Sequence, residues 1–167
     1  MSKNSLALTV VLCSVLGASA PRADQPQCYT LASLDGSWTI VSTFGANVAR
    51  ALGKREIAVD GSFTGTFLLN GPTAGSTTGA RTITTGTQTG TYAVNCDGTG
   101  TVTRVVTASN GTTASQIDDF VITAAEVRHH ELIATAAIDV QRVPSALVPG
   151  GIFVVREMTR VPDERDK

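Results

Sequence analysis

Residues 89–107, which read TGTYAVNCDGTGTVTRVVT, decide the predicted fold. Two runs, residues 89–95 and 99–107, alternate Val, Tyr and Thr with small or polar residues, as half-buried strands do. Asp97-Gly98 stands between them and is a preferred pair for a type I′ turn, whose two central residues both need positive φ. This segment therefore predicts two antiparallel strands joined by a hairpin.

The same alternation recurs along the chain and predicts an all-β fold. The other candidate strands are residues 37–44, 56–59, 62–69, 81–85, 118–123, 131–138 and 152–160. Three more Asx-Gly pairs follow strand-like runs and predict hairpin turns: Asp60-Gly61, Asn70-Gly71 and Asn110-Gly111. Residues 47–55 are the one segment with helical spacing, enough for about two turns. Residues 79–91 predict a hairpin with a mobile tip.

About eight or nine short strands must either stack as two sheets or close on themselves. The predicted connections are mostly tight hairpins, whereas a sandwich needs longer connections between its sheets. We therefore expect a single antiparallel up-and-down β-barrel of about eight strands. A barrel of that size has no exposed edge strand and leaves room for a small ligand.

Composition and the N-terminal residues limit the class of protein. The formal net charge of −1 lacks the cation excess of a general nucleic-acid binder, and 42% hydrophobic residues argue against a disordered acidic chain. Residues 1–20 predict a signal peptide, with Lys3, an apolar run at 6–16 and small residues at 18–20. We expect residues 21–167 to form one secreted or periplasmic domain with no membrane span.

Cys28 and Cys96 remain after removal of the predicted signal peptide. Two cysteines in an oxidising compartment favour a disulfide, although two unrelated buried thiols are the alternative. Neither cysteine has a second Cys or His at ligand spacing, so we expect no metal site.

Gly36-Ser37-Trp38 opens the first predicted strand, and this Gly-x-Trp element resembles the calycins, above all the lipocalins. The resemblance implies that Trp38 closes the bottom of the barrel. It also implies that an arginine of the last strand, Arg156 or Arg160, packs across the Trp38 ring as a structural residue. Residues 90–92 and 97–101 are similar to secreted barrels related to allene oxide cyclases and dirigent proteins.

Four residues are candidates for contact with a ligand. Arg104 shares a strand face with Val102 and Val106, and an inward arginine must be paired or face a ligand. Tyr92 is a candidate amphipathic lining group. Asp118 shares a face with Phe120, where we expect burial to raise its pKa and make it a candidate acid. His130 is an acid or base near neutral pH if it projects inward. For each, an ordinary structural position is the alternative.

The leading prediction is a barrel that binds a small, mainly apolar molecule in its interior, without a cofactor. One alternative is a cofactor-independent cyclase or isomerase that confines a reactive substrate. Another is a structural barrel with a filled interior. No nucleophile elbow, zinc-protease motif or phosphate-binding loop occurs in the sequence, so the prediction leans away from an enzyme.

Overall fold

The computed structural model describes residues 27–45, 48–148 and 150–162. Within this part of the chain a 3₁₀ turn at Leu31–Leu34 precedes eight strands. The strands are β1 (Gly36–Phe44), β2 (Ala49–Ile57), β3 (Ser62–Pro72), β4 (Arg81–Val94), β5 (Thr99–Ala108), β6 (Thr113–Arg128), β7 (Glu131–Gln141) and β8 (Val154–Arg160). The predicted signal peptide, residues 1–20, lies outside the described residues.

Each strand pairs antiparallel with the next, and the first strand also pairs with the last. The closing ladder between β1 and β8 runs from Trp38 opposite Arg160 to Phe44 opposite Val154. The strands therefore form a closed eight-stranded up-and-down barrel, which confirms the predicted fold class.

Two segments differ from their predicted structure. The predicted helix at residues 47–55 is wrong, because Ala49–Ile57 forms β2 and pairs with β1 and β3 on its two sides. Only three residues in this segment have the spacing of a helical face. Gly53, which follows them, is a poor helix former. The predicted hairpin within residues 79–91 is also wrong, because Arg81–Val94 is one continuous strand. Backbone pairing on both edges holds this Thr-rich segment extended.

Three of the four Asx-Gly pairs lie in hairpin turns, as predicted, while Asn70-Gly71 lies inside β3. The turn geometry is not type I′, because only the glycine of each pair has positive φ. In all three turns the Asx side chain accepts a hydrogen bond from the backbone N–H two residues later, at Ser62, Thr99 and Thr112. That local bond fixes the turn without a left-handed Asp or Asn.

The inward side chains form two apolar clusters, one toward each end of the barrel. The lower cluster contains Trp38 and Leu34, and the upper cluster contains Phe44, Val154 and Val148 of the β7–β8 connection. We call the end near Trp38 the lower end and the end near Phe44 the upper end. β1 thus begins at the lower end of the barrel and ends at the upper end.

Glycines on the inner face of β4 make room for aromatic rings of β3. A Cβ on Gly86 would lie 2.4 Å from the Phe67 ring, and one on Gly90 would lie 2.8 Å from the Phe63 ring. Because either contact is far shorter than a van der Waals distance, both positions require glycine for these rings to fill the interior.

Candidate functional site

A layer of buried charges lies between the two apolar clusters. Among the described residues, the buried charged side chains are Arg55, Arg104, Arg156, Asp118 and Asp139, each at most 6% exposed. Strand alternation explains their direction. On β5, Arg104 is buried like its neighbours Val102 and Val106, whereas the intervening Val105 is 41% exposed.

These five side chains form one row of alternating positive and negative charges. The Arg104 Nε donates to Asp118 Oδ2 at 2.6 Å, and Asp118 Oδ1 lies 2.6 Å from Arg156 Nη2. Arg156 Nε lies 2.6 Å from Asp139 Oδ1, and Arg55 Nη1 lies 3.5 Å from Asp139 Oδ2. Each carboxylate is thereby shared between two arginines. Three guanidiniums against two carboxylates leave one positive charge in excess.

At one end of this row of charges, most hydrogen bonds of the Arg55 guanidinium go to neutral groups. Arg55 donates to the Tyr92 hydroxyl at 2.5 Å and to Gln88 Oε1 at 3.1 Å. The Arg55 guanidinium also lies 4.8 Å from the centre of the Phe63 ring. Burial raises the pKa of Tyr92, so its hydroxyl remains protonated and neutral at physiological pH.

The Arg104 end instead faces a cavity of about 40 Å³ beneath the β7–β8 connection. Its apolar wall includes Phe67, Val106 and Leu147. Its polar wall consists of Ser42, Gln88, Arg104, Gln116, Gln141, Ser145 and Arg156. A cavity of this size holds about two or three water molecules, so the interior is more completely filled than the sequence predicts.

Two glutamines on the polar wall leave hydrogen-bonding groups unused. The Gln141 Nε2 donates to Gln116 Oε1, which joins β6 to β7 inside the barrel. Gln116 Nε2 and Gln141 Oε1 have no partner, although both residues are only 4% exposed. Since buried polar groups are almost always paired, this donor and this acceptor mark a place for a polar occupant.

The surroundings of Arg104 and Asp118 lower the pKa values of both groups. Burial and the positive charge of Arg156 lower the pKa of Arg104 to about 10, despite the opposing effect of Asp118. Burial acts to raise the pKa of Asp118, but the charges of Arg156 and Arg104 outweigh it, and the pKa is lowered. The sequence-based expectation of a raised Asp118 pKa is therefore wrong, because the sequence does not reveal its two cationic neighbours.

Three of the four candidate ligand-contacting residues lie inside the barrel. Arg104 lines the cavity, while Asp118 and Tyr92 are buried behind it. His130 does not project inward, because it lies exposed in the two-residue β6–β7 turn next to His129. Both histidines have positive φ, 48° and 69°, and no other described non-glycine residue does.

The calycin resemblance implies that Arg156 or Arg160 packs across the Trp38 ring. In the structure this arginine is Arg160. The Arg160 guanidinium lies 5.0 Å from the centre of the Trp38 ring. Arg156 instead points to the middle of the barrel and contacts the two carboxylates there. The register between β8 and β1 decides this, since it places Arg160 opposite Trp38 and Arg156 opposite Ser42.

Cys28 and Cys96 form a disulfide, as predicted. The bridge ties the segment before the 3₁₀ turn to the β4–β5 turn, where Tyr29 N also donates to Cys96 O at 3.2 Å. The N-terminal segment is thereby fastened across the lower end of the barrel. No cluster of three or more potential metal ligands occurs among the described residues.

A larger open groove, about 870 Å³, crosses strands β1 to β5. Its lining includes outward-facing residues such as Val41, Leu52 and Lys54, and also the inward-facing Ile40 and Phe67. Ile40 and Phe67 line the upper cavity as well, so the groove and the cavity share part of their walls.

Sequence reasoning missed several inward polar residues. Arg55 fell in the predicted helix, and Gln116 preceded the predicted start of its strand at residue 118. Gln116, Asp118 and Phe120 alternate with exposed residues in β6, and Asp139 and Gln141 do so in β7. Correct strand boundaries and simple alternation would have placed these residues on the inner face.

No known protein family matches this chain, and no curated protein is similar to it in sequence. Among the described residues, no helix combines the length and apolar character needed to cross a membrane. A search of solved structures finds a selenomethionine derivative of a biogenic amine-binding protein. The similarity has a TM-score of 0.44 and 10% sequence identity, and it covers 86% of this chain and 72% of that chain.

Proposed function

We propose that this protein is a secreted or periplasmic barrel that binds a small molecule, or one end of a larger one, in its upper interior. The carrying observation is the cavity of about 40 Å³ with the unpartnered amide groups of Gln116 and Gln141 on its wall. The Cys28–Cys96 disulfide supports the proposed compartment, since such bonds persist in oxidising surroundings.

The proposed ligand is amphipathic rather than mainly apolar. Phe67, Val106 and Leu147 offer apolar contact, while Arg104 and the two glutamines require polar partners. The contact of Arg160 with Trp38 supports the calycin resemblance at the lower end of the barrel. It adds nothing about the identity of the ligand.

A structural barrel without a ligand is the second candidate, and the size of the cavity favours it. Typical small-molecule pockets enclose about 300–1,000 Å³, far more than this cavity. A salt-bridged interior with two apolar clusters also accounts for a stable barrel without any occupant. Asp118 does not support the cyclase alternative as a neutral acid, since two arginines lower its pKa.

Chemical-shift mapping separates the two candidates. We expect hexanoate or hexan-1-ol, titrated into isotope-labelled protein, to shift the amide signals of Val106 and Ala51 saturably. Val106→Phe fills the cavity and should abolish the shifts, whereas Val105→Phe, on the outward face of the same strand, should not. If neither probe shifts the amide signals of interior residues in the wild-type protein, the binding proposal is wrong and the barrel has a structural role.

A further inference from the structure

We propose that the upper cavity selects ligands carrying a carboxylate, which Arg104 binds together with the Gln116 amide. This inference rests on the proposed binding function and specifies the chemical class of the ligand. It depends on the charge balance of the interior, on the position of Arg104 and on the unused donor beside it.

The charge balance favours an anion. The buried layer holds three guanidiniums and two carboxylates, so an occupant with one negative charge would make it neutral. Buried charges are tolerated chiefly when they are paired, because desolvation of an unpaired charge is costly. A cationic occupant would instead increase the excess to two positive charges.

Of the two arginines at the ends of this row of charges, Arg104 is the one that meets the cavity. Arg55 and Arg104 each contact one carboxylate that is shared with Arg156, at 3.5 Å and 2.6 Å. Arg55 is 0% exposed and also donates to Tyr92 and Gln88. Among the described side chains Arg104 donates only to Asp118, and it lines the cavity. Arg104 is therefore the arginine that can offer a charged hydrogen bond to an occupant.

A hydrogen-bond donor for the second oxygen of a carboxylate lies on the same wall. The Gln116 Nε2 is buried and has no partner. On the paired strands β5 and β6, Arg104 stands directly opposite Gln116, so the guanidinium and the amide arise from adjacent backbone positions. A guanidinium and an amide N–H side by side suit the two oxygens of one carboxylate.

Three six-carbon probes that differ only in the head group test the inference by isothermal titration calorimetry. We expect the wild-type protein to bind hexanoate at least about tenfold more tightly than hexan-1-ol, and hexylamine more weakly than either. Arg104→Gln should weaken hexanoate about ten- to a hundredfold and leave hexan-1-ol nearly unchanged. Arg104→Lys retains the charge and should retain most of the preference.

Arg142→Gln is the matched control, because Arg142 pairs with Asp119 on the outer surface and should not affect any probe. Equal binding of hexanoate and hexan-1-ol, or a preference for hexylamine, overturns carboxylate selection but leaves the proposed binding function intact. Absence of binding by all three probes overturns both proposals. If Arg104→Gln does not fold, the comparison of the three probes on the wild-type and Arg104→Lys proteins still decides the outcome.

Discussion

The guanidinium of Arg160 lies across the indole of Trp38, 5.0 Å from its centre, and connects the last strand of the barrel to the first. Arg160 also donates to the backbone carbonyls of Ala134 at 2.6 Å and Ser33 at 2.8 Å. Trp38 is fully buried, and its indole N–H donates to Leu34 O at 2.9 Å. One arginine thus joins β7, β8 and the 3₁₀ turn over the closing ladder.

Replacing Arg160 with Ala should lower the free energy of unfolding by about 1–3 kcal/mol, because it removes a cation–π contact and hydrogen bonds to buried carbonyls. Urea denaturation followed by Trp38 fluorescence measures the change. Arg142→Ala, which removes only an exposed, solvent-screened ion pair, should lower the free energy of unfolding far less. Equal losses in the two variants would contradict a closing role for Arg160.

Removing the disulfide should destabilise the barrel without changing its topology. Cys28 and Cys96 are 68 residues apart in sequence, and the chain-entropy estimate for such a loop is about 4 kcal/mol. The double variant Cys28→Ser/Cys96→Ser should therefore unfold at a lower urea concentration than the oxidised protein. Wild-type protein with both thiols reduced should match the double variant, and an unchanged midpoint after verified reduction would exclude this role.

Acid should weaken the barrel through Asp118. Its pKa is lowered in the folded protein, so the unfolded chain binds this proton more readily. The stabilisation is complete above the unfolded value of about 3.8 and is lost as pH falls through the lower folded pKa. Asp118→Asn should cost about 3–5 kcal/mol at pH 7, because it leaves two arginines without their shared charge.

The pH profile distinguishes this effect from simple loss of packing. Urea midpoints measured from pH 7 to pH 2.5 should fall less steeply for Asp118→Asn than for the wild-type protein. Some dependence should persist, since the pKa values of Asp60, Asp97 and Asp119 are lowered as well. Parallel profiles for the two proteins would mean that Asp118 does not contribute to acid sensitivity.

The β6–β7 turn offers a stabilising change. His129 and His130 both adopt left-handed backbone conformations, which side chains with a Cβ disfavour. Replacing them with Asn and Gly, the pair that suits a type I′ turn, should raise the free energy of unfolding by about 1 kcal/mol. The urea midpoint should increase. The opposite change, Gly98→Ala at a positive-φ glycine of the β4–β5 turn, should decrease it.

Local sequence patterns were sufficient for most of the barrel. Asp97-Gly98 and its flanking alternation placed the C-terminal part of β4 and nearly all of β5 correctly, because a hairpin depends on neighbouring residues only. The misassigned β2 shows the limit of this reasoning. Its residues have weak local preferences, and pairing with strands on both sides outweighs them.

The amino-acid sequence alone indicated the all-β class, most of the turns and the disulfide pair, while it left the direction of Arg104 open. The tertiary structure decided which charges meet, because ion-pair partners such as Arg55 and Asp139 are 84 residues apart and their approach depends on closure of the ladder. It also decided how much of the interior remains open, since large rings fill the spaces that inward glycines leave. Packing across the barrel is a property of all eight strands together, and no local segment encodes it.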